Sequence, residues 1–227
     1  MANNSEEYAY EVIDNETDAF ICAQLLADEF AKHEPLTSFS QIGSKEFLDQ
    51  VIWPAMLDSL KHRLSVLARH RLTNEIVATI LANDLYFDHK KHPYNPSDPP
   101  HSFALIDFAS EMDEAFIQRD FGQKLEPYMV LHIFIGTTQK QHSGKGIATR
   151  LRAFICDNAR KTQGYQYAFV QASNPATYHI YIDKMGGQIV TLFDPKTWVW
   201  KKKGDGKSCP FKEFTGGIIP NILIKLT

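Results

Sequence analysis

Leu131–Arg150, LHIFIGTTQKQHSGKGIATR, is the stretch whose reading decides the fold. Val130, Leu131, Ile133, Phe134 and Ile135 form a short β-branched and aromatic run, the composition of a buried strand. Thr137–Gly146 is polar and holds Gly144 and Gly146; from Ile147 to Ile155 apolar residues return at helical spacing. The order is strand, short loop, helix start. Such a loop aims the unbonded N–H groups and the positive dipole end of the helix at one place. Gly144 and Gly146 carry no Cβ, so phosphates can come close to the main chain. The segment reads as an anion cradle.

Two well-known phosphate motifs fail on it. A Walker A loop is excluded because Gly144-Lys145 is followed by Gly146 and position 139 is glutamine. The dinucleotide-binding fingerprint is excluded because Thr149 stands where it needs a third glycine. Gln141-His142-Ser143-Gly144-Lys145-Gly146 does fit [QR]-x-x-G-x-[GA]. In this it resembles the pyrophosphate-binding signature of the GNAT acyl-CoA N-acyltransferases. A plain strand-to-helix turn is the alternative for the bare hexamer; the flanking strand and amphipathic helix favour the family.

Working outward, 227 residues suffice for a sizeable core in one large domain or two small ones. The chain is 44% hydrophobic and 22% charged, with net charge −3. That balance gives no electrostatic reason to expect nucleic acid or an acidic membrane as partner. No apolar run is long enough to cross a bilayer, and the acidic start MANNSEEYAYEV is the opposite of a secretory signal. Cys22, Cys156 and Cys209 are few and far apart, which fits reduced thiols and a cytoplasmic setting.

In order, Tyr8–Ile13 reads as a strand and Thr17–Lys32 as a helix, stopped near His33-Glu34-Pro35 by the proline. Thr37–Ser44 is a polar link. A second helical pattern covers Lys45–Leu60, with Pro54 set to start, kink or break it. Leu64–Arg69 and Glu75–Asp84 read as a hairpin. Residues 86–127 form an insertion over the active face: a proline-rich loop at Asp88–His101, then a helix at Glu111–Lys124. Met129–Gly136 is the central strand, Lys145–Lys161 a helix ended by Gln163-Gly164, and Tyr165–Ala172 another strand. Pro175–Met185 is a short helix capped by Asn174, and Gln188–Lys202 and Phe214–Leu226 are the last strands. No linker or repeat divides the chain, so residues 1–227 are expected to form a single domain.

The order β-α-α-β-β-(insertion)-β-α-β-α-β-β is similar to that of GNAT proteins. The resemblance implies an α/β fold: a mixed, mostly antiparallel sheet flanked by helices and splayed between its fourth and fifth strands, where acyl-CoA lies. Asn174 with Lys184-Met185-Gly186 resembles the family's N…(Y/F)-x-K-x-G-F stretch, with Gly187 replacing the aromatic. Ile182 stands where many members place a tyrosine acting as general acid. Phe30-Ala31-Lys32-His33-Glu34-Pro35-Leu36 resembles a stretch of the arylalkylamine N-acetyltransferase-like branch. The likeness implies that Glu34 is a general base acting through water.

Direct acetyl transfer needs a neutral amine, oxyanion donors, a base for the ammonium proton and an acid for the departing thiolate. Glu34 is the candidate base; an exposed helix-end carboxylate is the other reading. Tyr178 is the candidate acid, one helical turn before Ile182, with aromatic packing as its alternative. Tyr181 is placed with the cofactor-binding residues. The backbone of Gln141, His142, Ser143, Gly144, Lys145 and Gly146 is expected to hold the pyrophosphate, helped by Lys145 charge and the Ser143 and Thr149 hydroxyls. The resemblance assigns the pantetheine arm to the main chain of Ile133, Phe134 and Ile135; Asn174 holds a pantetheine amide or only caps its helix. His132 reads as a buried, hydrogen-bonded core histidine, with a general base as the alternative. His89, His92 and His101 lack a cysteine partner and do not make a zinc site. Lys201-Lys202-Lys203 reads as a solvated strand end, although such charge can also attract the 3′-phosphate of CoA.

The reading is an acetyl-CoA-dependent N-acetyltransferase acting on a small amine in a ternary complex, as monomer or homodimer. The rivals are a protein or peptide N-acetyltransferase and a non-catalytic acyl-CoA-binding module.

Overall fold

The structure is a computed structural model and describes residues 7–227; residues 1–6, the start of the acidic N-terminal stretch, lie outside the described residues. The chain begins with β1 (Tyr8–Val12), α1 (Glu16–His33), α2 (Pro35–Phe39), α3 (Ser44–Phe47), α4 (Trp53–His62), β2 (Val66–His70) and β3 (Ile76–Asp84). It continues with α5 (Leu85–Lys91), α6 (Ala104–Ala115), β4 (Val130–Thr138), α7 (Ile147–Gln163), β5 (Tyr167–Gln171), α8 (Pro175–His179), β6 (Gln188–Phe193) and β7 (Ile219–Lys225). The seven strands make one sheet in the order β1-β2-β3-β4-β5-β7-β6. Every pairing is antiparallel except β4 with β5. The expected mixed sheet is therefore present.

Helices cover both faces. Ile147, Leu151 and Ile155 of α7 pack with Leu131 and Ile133 of β4 on one side. Ala23 and Leu26 of α1 and Met56 of α4 pack with Leu81 and Ile135 on the other. Ile133 and Ile135 are two residues apart and would share a face in a regular strand. They do not, because Ala82 pairs with Ile133 and Leu81 with Ile135, leaving Phe134 without a partner. This bulge changes the parity of β4 at its middle.

Local chemistry explains where the elements start and stop. Asn15 accepts from Asp18 N–H at 2.9 Å and caps α1. Glu34 ends α1 and opens α2 at once, with Pro35 in the first turn of α2. The polar link expected from Thr37 thus begins as a helical turn. Pro54 does not break the second helical pattern, because a π turn at Leu48–Ile52 loosens the hydrogen bonding just before it.

The insertion differs most from its sequence reading. Asp84 caps an extra helix, α5, where only loop was expected, accepting from Tyr86 and Phe87 N–H. The expected helix at Glu111–Lys124 instead runs from Ala104 to Ala115 and ends in a π turn at Phe116–Asp120. The expected strand Gln188–Lys202 stops at Phe193, since Pro195 has no N–H and Asp194 caps Lys196. The final strand starts only at Ile219, after Gly217 at φ 90°.

Candidate active site

β4 and β5 pair only from Val130↔Tyr167 to Ile133↔Val170. Beyond Ile133, β4 continues to Thr138 against β3, and among the described residues no strand pairs with its other edge. A cavity of about 490 Å³ runs along that edge, with Ile133, Phe134, Ile135, Gly136, Thr137 and Thr138 all in its wall. It joins Lys140 and Ser143 of the loop to Phe30, His33 and Glu34 at the end of α1. Leu105, Phe108 and Met112 of α6 cover it, and Asn174, Thr177, Ile180 and Tyr181 close the far side. The splay and the bulge thus place unpaired strand backbone in a partly roofed pocket.

The loop is built as a backbone site. Gly144 and Gly146 both have φ 77°, with open space where a Cβ would stand. No side chain caps α7, so its first N–H groups have no side-chain acceptor. The loop's side chains mostly face elsewhere. His142 Nδ1 lies 2.9 Å from the Tyr8 hydroxyl, and Gln141 Nε2 donates to Gln139 Oε1 at 2.6 Å. Lys145 Nζ donates to Glu7 Oε1 at 2.9 Å and to the Tyr8 oxygen at 3.0 Å. The Lys145 bond, and a second from the Tyr8 hydroxyl to Glu7 Oε1 at 2.9 Å, hold the Glu7 carboxyl below its ordinary range. The Lys145 charge, expected to face an anion, is thus engaged by β1 and the residue before it. Of the hexamer only Ser143 reaches the cavity wall; Gln141, His142, Gly144, Lys145, Gly146 and the expected helper Thr149 do not.

Glu34 does line the cavity, half-buried, and its Oε2 accepts from both the N–H and the hydroxyl of Thr37 at 2.6 Å. Asn174 lines it too and also caps α8, accepting from Ala176 N–H at 2.9 Å. Tyr178, the expected acid, is 36% exposed and absent from the wall. Tyr181 takes the inward place. The cause is a π turn at Ile180–Lys184, in which Met185 N–H bonds to Ile180 O and one extra residue fits before Gly186. Counting back from Gly186 therefore lands on Ile182, one residue late. The Tyr181 hydroxyl is buried without a hydrogen-bond partner, and burial pushes it up to about 12 against the opposing charge of Arg152. Arg152 is also in the wall. Sequence reading missed it, although an arginine beside the Leu151–Ile155 stripe was a visible oddity.

The remaining candidates lie outside the wall of the large cavity. His132 is 2% exposed, and burial lowers it to about 4, so the imidazole is neutral. His101 Nδ1 accepts from Phe103 N–H, while His89 and His92 border a small cavity of about 50 Å³ with Asp88, Tyr94 and Asp113. Among the described residues no three His, Cys, Asp or Glu side chains are grouped to hold a metal ion. Lys201–Lys203 form a short 3-10 turn and not a strand end; Lys201 and Lys203 are exposed as expected, but Lys202 is not. Lys201 pairs with Glu111, and Lys202 lies 2.8 Å from Asp107. Asp107 Oδ2 also accepts from Trp200 Nε1 and His101 N–H, each at 2.8 Å. This seam fastens α6 over the cavity. Among the described residues no helix is long and apolar enough to cross a membrane.

No protein-family model and no curated protein sequence matches the chain. Solved structures do. The C-terminal condensation domain of Ebony, in complex with beta-alanyl-dopamine, superposes with TM-score 0.77 at 16% identity, over 96% of this chain and 99% of that one. An arylalkylamine N-acetyltransferase-like 5b from mosquito gives 0.75 at 13% identity, over 96% and 100%. The Drosophila melanogaster polyamine N-acetyltransferase gives 0.68 at 12%, over 97% and 100%. Together with the splayed β4–β5 pair, they establish that this chain has the fold of the GNAT acetyltransferases.

Proposed function

We propose that the protein transfers an acetyl group from acetyl-CoA to the primary amine of a small molecule, by direct attack in a ternary complex. The observation that carries this is the single cavity joining the Ser143 end of the loop, the unpaired edge of β4 and the Glu34 carboxylate. The chain's residues fit such a donor. The loop glycines leave room for phosphates, β4 offers unpaired backbone to a pantetheine arm, and Tyr181 has an unpartnered hydroxyl. In this reading the loop backbone binds the pyrophosphate and a β4 N–H near Ile135 donates to the developing oxyanion. Glu34 takes the ammonium proton, and Tyr181 O–H, in place of Tyr178, protonates the leaving sulfur.

The acceptor half of the cavity is apolar, with Phe30, Phe47, Leu105 and Phe108, and carries Glu29 and Glu34. That combination favours a cationic amine on an apolar body. A peptide acceptor would need an open groove, and the fastened α6 roof argues against it. Thermal unfolding with acetyl-CoA, with ATP and NAD as controls, tests the donor. A ligand at 100 times its Kd adds about 2.7 kcal/mol, here roughly 5–10 °C in Tm. A shift with acetyl-CoA alone, followed by thiol release with an amine panel, is the expected outcome. An equal shift with ATP removes the donor assignment, and binding without thiol release favours a non-catalytic module.

A further inference from the structure

Arg152 sits on the buried face of α7 between Leu151 and Ile155 and is 5% exposed. Its Nη1 donates to Ala148 O at 3.1 Å, while its Nε has no hydrogen-bond partner. Among the described residues no carboxylate pairs with it. A guanidinium stays charged at any working pH, and an uncompensated charge in the interior is strongly destabilising. A donor fixed in advance in a water-excluded site stabilises charge that develops during a reaction without reorganising when it forms.

What it faces is Tyr181. The guanidinium carbon lies 5.3 Å from the centroid of the tyrosine ring, and the Tyr181 hydroxyl is itself buried and unpartnered. Both side chains belong to the cavity wall. Cys156, the titratable neighbour on the next turn of α7, is neutral, since burial pushes its thiol up to about 12. Two adjacent buried donors, one cationic, therefore lie side by side in the cavity wall, each with hydrogen-bonding capacity unspent.

We propose that Arg152 is a positioning residue for acyl transfer, its guanidinium offsetting the negative charge that the departing sulfur hands to the Tyr181 oxygen. The inference rests on the acetyl-transfer reading above. The amine nitrogen bonds to the thioester carbon, and the C–S bond breaks with its electron pair on sulfur. The Tyr181 proton goes to that sulfur, leaving a phenolate beside Arg152. The proton lost by the amine passes through the base to water, and one from water restores Tyr181 when the thiol leaves.

The test compares wild type with Arg152→Leu, Arg152→Lys and Tyr181→Phe, reading more than turnover. Free CoA is the probe, and ultraviolet absorbance of its thiolate gives the pH at which the bound thiol ionises. On wild type the bound thiol should ionise at lower pH than on Arg152→Leu, with Arg152→Lys in between. Arg152→Leu should bind acetyl-CoA as wild type does, turn over about a hundredfold more slowly, and unfold at the same temperature or higher. Adding Tyr181→Phe to it should cost no further rate. The proposal is overturned if the thiol ionises alike on both proteins, or if affinity and turnover fall together. A wild-type preference for a donor with a terminal carboxylate, such as succinyl-CoA, that Arg152→Leu abolishes would also overturn it. Wild type that binds no CoA would end the acetyl-transfer reading itself, and this inference with it.

Discussion

Glu34 occupies two positions at once: its backbone N–H bonds to Phe30 O and closes α1, while its carboxylate oxygen accepts from Thr37 and caps α2. Capping and proton transfer are separable roles for a carboxylate in this wall. Glu34→Gln separates the two, because a glutamine Oε1 accepts the same bonds but has no basic carboxylate. The expected outcome is unchanged acetyl-CoA affinity and Tm, a rate lower by about 10²–10⁴, and loss of one limb of the pH–rate profile. Steady-state kinetics across pH checks it; an unaltered profile would leave Glu34 a cap.

The loop before α7 shows the same division at the scale of an element. Its side chains brace it against β1, through His142 and Lys145 to Tyr8 and Glu7, while its main chain is left to bind. Gly144→Val tests the main chain. At φ 77° a β-branched residue is strained by about 1–2 kcal/mol, yet a Cβ there meets no atom within 4 Å. The variant should therefore stay folded, with a slightly lower Tm, and lose most of its acetyl-CoA affinity by calorimetry. Intact affinity would mean that the loop is a turn and nothing more. The π turns are a second device at this scale. Each of the three among the described residues adds one residue to a helical segment; the first passes Pro54, the second ends α6 and the third turns Tyr181 inward.

For the whole molecule, two neighbouring groups, the buried His132 and the partly buried Asp113 with its Oδ1 3.7 Å from His132 Nε2, set opposite pH trends. His132 is lowered from 6.5 to about 4 by burial, so the unfolded chain binds a proton in that window that the folded chain does not. Its contribution is fully present above pH 6.5 and is lost as pH falls towards about 4, by up to about 1.4 kcal/mol per pH unit. Asp113 is raised well above 3.8 by burial, so the folded chain holds the extra proton and stability falls as pH rises through that range. The two partly cancel in the wild type. His132→Gln should therefore gain stability on acidification relative to wild type, and Asp113→Asn should lose it. Urea midpoints between pH 4 and 7 read both slopes; curves parallel to wild type would refute the assignment.

By itself the sequence determined the local grammar: the Leu131–Arg150 strand–loop–helix, the Asn174 cap, the proline stop after α1 and the Gly164 end of α7. These follow from hydrophobic period, capping chemistry and allowed dihedrals, all of which act within a few residues. Tertiary structure decided the rest. Which tyrosine faces the cavity depends on a π turn that no local pattern announces, and the face taken by Ile135 depends on a bulge against β3. That Lys202 fastens the roof through Asp107, and that Arg152 is buried without a counter-charge, depends on side chains far apart in the chain. Long-range packing and charge pairing set these features, and neither is written in the spacing of neighbouring residues.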